Sequence, residues 1–172
     1  GSWQFGTRNY THNGGFDGRR GTGNPEGGSD NAAWESPLLL NPLNQMQMIH
    51  MGRSLYKGDK FGREWNLMSS PGIGIITEAA IAETDSNVIA ISRGSVLQLT
   101  TDGGETWNQI TLGLPGYTFT DIAFDPKDEN TILVTYNRYQ QDNRKIFISY
   151  DQGTTWENIT YNLGDMPLRT VV

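Results

Sequence analysis

The sequence predicts an all-β fold, a β-propeller of four-stranded antiparallel blades of which about three to four are present as a partial ring. An eight-residue motif occurs twice, at Thr100–Trp107 and Ser149–Trp156, and a degenerate third copy occupies Asp59–Trp65. The tryptophans that end these copies are 42 and then 49 residues apart. Four short strands fill a repeat of this length in propellers, so each copy is expected to mark one blade.

The motif itself describes a tight β-hairpin. It reads hydroxyl, any residue, Asp, any residue, Gly, two further residues and Trp. The Asp carboxylate accepts hydrogen bonds from turn amides, Gly adopts positive φ, and Trp begins the next strand and packs between neighbouring sheets. We therefore predict structural roles for the residues at the defining positions, which are Thr100, Asp102, Gly104, Trp107, Ser149, Asp151, Gly153, Trp156 and, in the degenerate copy, Asp59, Gly62 and Trp65.

The degenerate copy departs from this pattern in two ways. It has one residue too many between Asp59 and Gly62, and Lys57 stands where a hydroxyl is expected. We expect the hairpin to be kept and Asp59 to be more exposed than its two counterparts.

The strands of the three blades follow from the runs that surround the motifs. Val, Ile, Thr and aromatic residues dominate these runs and Pro, apart from Pro37, is confined to the joints, which is typical of strands. The predicted strands are 34–40, 45–51, 54–57 and 65–69 in the first blade, 75–83, 88–92, 95–101 and 107–111 in the second, and 120–124, 131–136, 145–150 and 156–160 in the third. The third blade is longer, and its extra residues, 138–144, are expected to form a protruding hairpin.

The chain is accordingly predicted to contain five segments. Residues 1–33 are the tail of a preceding blade plus a Gly-rich loop, 34–70 the blade with the degenerate motif, 71–112 and 113–161 the blades with the full motif, and 162–172 the start of the next blade. The Gly-rich loop is either a flexible insertion at the rim or a loop that crosses the face and shapes a binding surface. Both ends interrupt a strand pattern, so we expect a segment of a longer chain.

Composition excludes several classes of function. The chain has 172 residues, 13 Lys and Arg against 19 Asp and Glu, and a net charge of −6, which argues against nucleic-acid binding. It has no cysteine, which excludes disulfides and Cys-ligated metals. It also lacks a run of about 18 apolar residues, so no membrane span is expected.

The two full motifs resemble the Asp-box, or BNR repeat, of sialidases, family 74 xyloglucanases and sortilin-type propellers. The Pro-containing turn after the first strand and the Trp-x-x-Ile-Thr sequence after the motif are most similar to the sortilin and xyloglucanase branch. The resemblance spans residues 34–172 and implies that the motif residues are structural. The opening stretch Gly1–Thr7 resembles a degraded form of the Gly-x-Gln-Asp-Asn-Gly-Thr phrase of large bacterial surface propellers. That similarity implies an exported bacterial protein, extracellular or at the cell surface, of a kind commonly carried by type IX secretion.

No catalytic or metal site is predicted, and no cofactor is expected. The Arg-Ile-Pro phrase that marks sialidases does not occur. Xyloglucanases use two Asp residues across a cleft. Asp121 and Asp17 are the least implausible candidates for such a pair, but neither lies in a matching family motif. The two histidines, His12 and His50, do not have metal-ligand spacing.

A candidate interaction surface combines aromatic and guanidinium groups, which are favoured in protein and glycan contacts. Its residues are Arg19 and Arg20 in the Gly-rich loop, and Tyr136, Arg138 and Tyr139 beside the protruding hairpin. The alternative is a hairpin that is simply solvated.

The leading hypothesis is a non-catalytic protein- or glycan-interaction module within a larger exported or cell-surface Asp-box propeller. Its partners would be the remainder of its own propeller and another cell-envelope or extracellular protein, or a glycan. The alternative is a fragment of a glycoside hydrolase of the xyloglucanase-like or sialidase-like type. A sortilin-type sorting receptor is a weaker third hypothesis, because the Cys-rich tail and membrane span of such receptors do not occur in this sequence.

Overall fold

Three antiparallel sheets of four strands each make up the described part of the protein. The computed structural model describes residues 38–69, 71–137, 143–164 and 168. These residues form twelve β-strands and no helix. The expected all-β architecture of four-stranded antiparallel sheets is therefore confirmed.

Each sheet is a meander in which the strands follow chain order. Blade 1 contains β1 (Leu38–Asn41), β2 (Asn44–Met51), β3 (Leu55–Asp59) and β4 (Glu64–Ser69). Blade 2 contains β5 (Glu78–Ile81), β6 (Ile89–Arg93), β7 (Val96–Thr100) and β8 (Asn108–Gln109). Blade 3 contains β9 (Phe119–Asp125), β10 (Asp128–Tyr136), β11 (Ile146–Ser149) and β12 (Glu157–Asn158).

The chain divides into two compact units between Ile76 and Thr77. Blade 1 lies in the first unit, and blades 2 and 3 lie together in the second. None of the described residues forms a helix long and apolar enough to cross a membrane.

A short polar side chain shapes the turn between the first and second strands of every blade. An Asn or Asp at this turn accepts, through Oδ1, a hydrogen bond from the backbone N–H two residues later, which is a local alternative to strand pairing. The pairs are Asn44 with Met46 at 3.1 Å, Asp85 with Asn87 at 2.9 Å and Asp128 with Asn130 at 3.1 Å. The three turns therefore have the same internal support.

The core of the second unit lies between blades 2 and 3. Because side chains alternate along a strand, each blade offers one apolar face to this core. The buried residues are Ala82, Val88, Ala90, Leu97, Leu99 and Ile110 from blade 2, and Phe119, Ile122, Ile132, Val134, Tyr136 and Phe147 from blade 3. Burial of one large apolar side chain contributes roughly 1.5–3 kcal/mol, so this shared layer holds the two blades together.

Blade 1 has its own aromatic cluster around the buried His50. His50 is 5% exposed and its ring lies 6.3 Å from that of Tyr56 and 6.2 Å from that of Trp65, centroid to centroid. A Cβ atom at Gly58 would lie 2.8 Å from the Trp65 ring. Glycine on β3 therefore allows Trp65 to lie close against the backbone of its own sheet.

The outermost strands of blades 2 and 3 are shorter than expected, two residues each instead of five. Each of these strands is followed by a threonine, whose hydroxyl accepts a hydrogen bond from a backbone N–H of the adjacent strand in place of a backbone carbonyl. Leu97 N donates to Thr111 Oγ1 at 3.2 Å, and Ile146 N donates to Thr160 Oγ1 at 2.9 Å. Side-chain bonds of this kind compete with the strand ladder, so the ladder ends early.

Candidate functional site

The three motif hairpins are the most distinctive local structures, and we call them box 1 (Asp59–Trp65), box 2 (Thr100–Trp107) and box 3 (Ser149–Trp156). In box 2 the Thr100 hydroxyl donates to Asp102 Oδ1 at 2.6 Å and accepts from Gly104 N at 2.9 Å. The Asp102 carboxylate also accepts from Thr106 N at 2.9 Å and from the Thr106 hydroxyl at 2.5 Å. Three side chains, those of Thr100, Asp102 and Thr106, thus close the turn.

Box 3 repeats this network with serine in place of the first threonine. The Ser149 hydroxyl donates to Asp151 Oδ1 and accepts from Gly153 N, each at 2.8 Å. Asp151 accepts from Thr155 N at 2.8 Å and from the Thr155 hydroxyl at 2.7 Å. The hydroxyl, carboxylate and glycine of the sequence motif therefore have matching contacts in the two boxes.

These hydrogen bonds stabilise the ionised form of both carboxylates. The hydroxyl of Thr100, followed by the side chain and backbone of Thr106, lowers the pKa of Asp102 well below its ordinary value. The side chain and backbone of Thr155 lower the pKa of Asp151 in the same way. A general acid needs a raised pKa, so neither carboxylate is suited to donate a proton near neutral pH.

Box 1 keeps the hairpin by different contacts. Asp59 Oδ1 accepts from Gln47 Nε2 at 2.9 Å, and the Lys60 ammonium lies 2.6 Å from Glu64 Oε1. The expectation that Asp59 would be more exposed is wrong, because Asp59 is half-buried whereas its counterparts in boxes 2 and 3 are exposed. The Gln47 side chain on the adjacent strand β2 contacts the carboxylate, and Gln47 lies too far back in the sequence to belong to the motif.

The extra residue of box 1 is accommodated by one additional left-handed residue. Lys60, Phe61 and Gly62 have φ values of 52°, 60° and 74°. Boxes 2 and 3 use only two such residues, Gly103–Gly104 and Gln152–Gly153. Left-handed backbone is unfavourable for residues with a Cβ atom, so box 1 contains more local strain.

Every box is also attached to the first turn of its own blade. The residue before the motif glycine donates its backbone N–H to a carbonyl of that turn. The bonds run from Phe61 to Met46 at 2.9 Å, from Gly103 to Asn87 at 3.0 Å and from Gln152 to Asn130 at 2.9 Å. This contact is common to all three boxes, including the degenerate one.

Box 3 additionally contacts blade 2. Trp156 Nε1 donates to the carbonyl of Ile110 at 3.0 Å. A Cβ atom at Gly153 would lie 2.5 Å from Ile110 Cδ1, and Gly153 has a φ of 83°. Glycine is thus required both by the turn and by the close approach of the neighbouring blade, and the sequence indicated only the first reason.

The structure corrects the assignment of Tyr136 to an interaction surface. Tyr136 is 0% exposed and packs against Phe119, Phe147 and Tyr117 with ring centroids 4.9, 5.9 and 6.1 Å away. It lies at the end of β10 on the same face as Val134, which faces blade 2. Burial raises the pKa of its phenol, and no described residue hydrogen-bonds to the hydroxyl. The other four residues of that surface, Arg19, Arg20, Arg138 and Tyr139, lie outside the described residues.

The carboxylates considered for catalysis are not brought into a described cleft. Asp121 is half-buried on β9, and its Oδ1 accepts from Ile122 N at 2.9 Å. Glu78, which the sequence did not indicate, occupies the corresponding position at the start of β5. Glu78 precedes Ala79 in the ladder between β5 and β6, as Asp121 precedes Ile122 in the equivalent ladder between β9 and β10. Asp17 and His12 lie outside the described residues. Among the described residues, no group of three or more His, Cys, Asp or Glu side chains is arranged to hold a metal ion.

A second feature that the sequence did not indicate is a fully buried lysine. Lys145 is 0% exposed, and its Nζ donates to the carbonyl of Gly164 at 2.9 Å. Its backbone N donates to Thr160 Oγ1 at 2.8 Å. Lys145 therefore ties the segment that leaves blade 3 to the start of β11.

Comparisons with known proteins agree with this architecture. The family model described as Sortilin-Vps10 (Sortilin, neurotensin receptor 3) matches residues 53–167. No curated protein sequence matches the chain.

Three solved structures illustrate the similarity of fold. A GH74 enzyme of Niastella koreensis has a TM-score of 0.60 and 19% identity, over 77% of this chain and 23% of that chain. A GH74 xyloglucanase from Xanthomonas campestris has a TM-score of 0.52 and 16% identity, over 70% of this chain and 20% of that chain. A chain of a nidogen–laminin complex has a TM-score of 0.57 and 17% identity, over 74% of this chain and 48% of that chain. The chain thus spans less than half the length of each structure, and the predicted class of a partial β-propeller is confirmed.

Proposed function

Because this chain belongs to the Sortilin-Vps10 family of Asp-box β-propellers, we propose that it is a non-catalytic interaction module of a larger exported or cell-surface protein. The observation that carries the proposal is the use of the motif carboxylates. Asp102 and Asp151 accept hydrogen bonds from their own turns, and their pKa values are lowered. The polar side chains of the repeated motif thereby stabilise the fold, and the loops between the strands would bind the ligand.

We propose four residues as the contact surface, with Tyr136 removed from the original set. Arg138 and Tyr139 lie between β10 and β11, and Arg19 and Arg20 lie in the Gly-rich stretch. Arginine and tyrosine are enriched where proteins bind other proteins, and both also suit glycan hydroxyls and rings. The partner would be another extracellular or cell-envelope protein, or a glycan, in addition to the remainder of the propeller.

The cellular location is a separate proposal. We propose that the protein acts outside the cell or at the cell surface, as an exported bacterial protein of the kind carried by type IX secretion. The first residues, Gly1–Thr7, motivate this proposal. Detection of the protein on intact cells by a protease-accessibility assay would support it, and full protection from external protease would contradict it.

A second candidate function is supported by the GH74 enzymes among the similar structures. In that case the chain would be part of a glycoside hydrolase, and Asp121 or Glu78 would be the carboxylates to consider within the described residues. Both are half-buried at equivalent positions of the first strands β9 and β5. Such a hydrolase requires a pair of carboxylates about 5–9.5 Å apart across the sugar.

One experiment separates the two functions. The chain is incubated with a panel of β-glucans including xyloglucan, and both bound polysaccharide and released reducing ends are measured. For an interaction module we expect no release of sugar, and binding to a glycan or an envelope protein that Arg138→Ala with Tyr139→Ala weakens at least tenfold. Asp121→Asn should leave that binding unchanged. Release of reducing sugar that Asp121→Asn or Glu78→Gln abolishes would instead establish the hydrolase.

A further inference from the structure

The end of blade 1 that carries box 1 exposes three large apolar side chains, and we call them the blade 1 tip: Leu43, Met46 and Phe61. Their exposed fractions are 60%, 50% and 45%. Leu43 lies in the first turn and Met46 near the start of β2. The hydrogen bond from Phe61 N to Met46 O at 2.9 Å joins box 1 to them. The three side chains therefore lie on two adjacent turns at one end of the blade.

The same turns of blade 3 carry polar side chains. In both blades the box residue before the motif glycine donates to a carbonyl of the first turn at 2.9 Å. Two Asn or Asp side chains of that turn also accept from the amides two residues later. These shared bonds identify the blade 3 equivalents of Leu43, Met46 and Phe61 as Lys127, Asn130 and Gln152. The blade 1 tip is thus a property of blade 1 and not of the repeated motif.

A neighbouring blade does not cover this end of a blade. Blade 3 shares its core with blade 2, and yet Lys127 and Asn130 are exposed and Gln152 is half-buried. The positions that form the tip therefore stay accessible in a blade whose neighbour is in place. Contact with another blade is accordingly no explanation for the apolar side chains of blade 1.

Phe61 is held in an unfavourable backbone conformation. Its φ is 60°, and the equivalent residues Gly103 and Gln152 have φ values of 72° and 55°. Left-handed backbone is unfavourable for a residue with a Cβ atom, and blade 2 avoids the cost by using glycine. A strained residue whose ring is half-exposed contributes little to a core. Such strain is typical of functional positions, which suggests a contact outside this chain.

The backbone of the tip has hydrogen-bond partners of its own. Asn41 Oδ1 accepts from two amides of the first turn at 2.9 and 3.1 Å, and Asn44 Oδ1 accepts from Met46 N at 3.1 Å. Phe61 N and Arg63 N donate to backbone carbonyls at 2.9 and 3.1 Å. Amides that are bonded within the chain can enter an apolar phase without leaving a donor unpaired, which is the condition that lipid imposes on a polypeptide.

Basic side chains flank the tip. Lys60 and Arg63 are exposed on either side of Phe61, and Lys60 pairs with Glu64. Among the described residues, none forms a hydrogen bond or ion pair with the Arg63 guanidinium. Residues 38–76 carry four basic residues against two acidic ones, whereas residues 77–172 carry six against 13. An apolar tip with basic flanks has the composition of a segment that binds an anionic membrane surface.

We propose that the blade 1 tip binds the surface of a lipid membrane with anionic headgroups. Leu43, Met46 and Phe61 enter the boundary between headgroups and acyl chains, and Lys60 and Arg63 contact the headgroups. The apolar side chains project from the ends of two turns, and this arrangement fits a fluid lipid surface better than a folded protein partner. The tip is separate from the contact surface proposed above, so this proposal can fail without affecting the proposed function.

The first test measures binding of the 172-residue chain to vesicles by sedimentation. The vesicles contain phosphatidylcholine and phosphatidylglycerol in equal parts, or phosphatidylcholine alone. We expect the chain to bind the mixed vesicles more tightly, and this preference should disappear at about 1 M salt. Met46→Asn with Phe61→Gln, which copies the blade 3 residues, should weaken binding about tenfold or more. Leu112→Asn is the matched control, because Leu112 is 85% exposed on the linker after blade 2, and it should leave binding unchanged.

A second measurement distinguishes insertion from attraction by charge alone. The chain has no cysteine, so a single introduced cysteine can carry a fluorophore that responds to polarity. With the label at Phe61→Cys, the emission should shift to shorter wavelength when mixed vesicles are added. Gln152→Cys is the equivalent position of box 3 and should show no shift. This comparison also decides the matter if the double variant fails to fold.

Three results would overturn the proposal. They are absence of vesicle binding, equal binding by the wild type and a folded double variant, and equal responses of the two labels. A dimer that forms with rising concentration, that the double variant abolishes and that binds no vesicles would assign the tip to a second copy of the chain. That result would overturn the proposal as well.

Discussion

Box 1 and box 3 form hairpins of the same kind from different chemistry. Box 3 uses a serine hydroxyl and the Asp151 carboxylate to bind the turn amides, as box 2 does with threonine. Box 1 has lost the hydroxyl and gained a residue, and it relies on Gln47 and on an exposed ion pair. Both boxes keep the motif glycine, the tryptophan and the backbone bond to the first turn of the blade. The difference teaches that glycine, tryptophan and the turn-to-turn bond define the hairpin, while the hydroxyl–carboxylate network reinforces it.

The largest effect is expected for the box 3 tryptophan. Trp156→Ala removes an aromatic side chain that packs on the shared core and donates to Ile110, so the free energy of unfolding should fall by about 3–5 kcal/mol. Trp156→Phe keeps most of the packing and should lose only about 1 kcal/mol, the contribution of the hydrogen bond. Urea unfolding followed by circular dichroism measures both values. Equal losses for the two variants would show that packing is not the main contribution.

The next effect tests the glycine that faces the neighbouring blade. Gly153→Ala places a Cβ atom in left-handed backbone and against Ile110, and should destabilise the protein by about 2–3 kcal/mol. Gly113→Ala is the matched control, because Gly113 has a φ of 89° but no atom lies within 4 Å of its Cβ position. Thermal melts of the two variants should differ clearly. A Gly153→Ala variant as stable as the control would contradict the close contact between the box and blade 2.

A smaller effect concerns the pH dependence of stability that the Asp102 carboxylate of box 2 contributes. The pKa of Asp102 is lowered in the folded protein, so its contribution to stability is present above the unfolded pKa of about 3.9 and is lost as the pH falls toward the folded pKa. The unfolded chain takes up the proton first, and stability therefore decreases below about pH 5. Asp102→Asn should lower the melting temperature at pH 7 and flatten its decline on acidification. An Asp102→Asn variant with the wild-type slope would refute the argument.

The smallest effect is expected for the ion pair of box 1. Lys60 and Glu64 are 62% and 60% exposed, and such pairs contribute about 0.5 kcal/mol or less. Lys60→Ala should therefore change the unfolding midpoint only slightly at low salt, and the difference should vanish at about 1 M salt because of screening. Should Lys60→Ala be as harmful as Gly153→Ala, the ion pair would be a principal support of box 1.

Local features of the sequence predicted the hairpins well, and non-local contacts could not be predicted. The motif residues of boxes 2 and 3 indicated hairpins because the contacts lie within four residues of one another. The contact between Gly153 and Ile110 joins two blades, and nothing near either residue indicates it. The exposure of Asp59 was mispredicted for the same reason, since Gln47 lies 12 residues upstream.

Tyr136 shows an error that the sequence could have prevented. Ile132, Val134 and Tyr136 alternate along one strand, and such a pattern predicts that all three face the same core. The neighbouring Arg138 and Tyr139 suggested an exposed loop instead. Strand alternation was the stronger indication, because the aromatic ring completes the apolar face between the two blades.

The threonine hydroxyls that shorten β8 and β12 have a consequence for solubility. β8 and β12 are edge strands of their sheets, and the unpaired backbone N–H and C=O groups of an edge strand can pair with a strand of another molecule. With only two residues in each, blades 2 and 3 offer a poor template for intermolecular pairing. The corresponding edge strand of blade 1, β4, extends over six residues. Unwanted self-association of the protein through strand addition is therefore expected to start at blade 1.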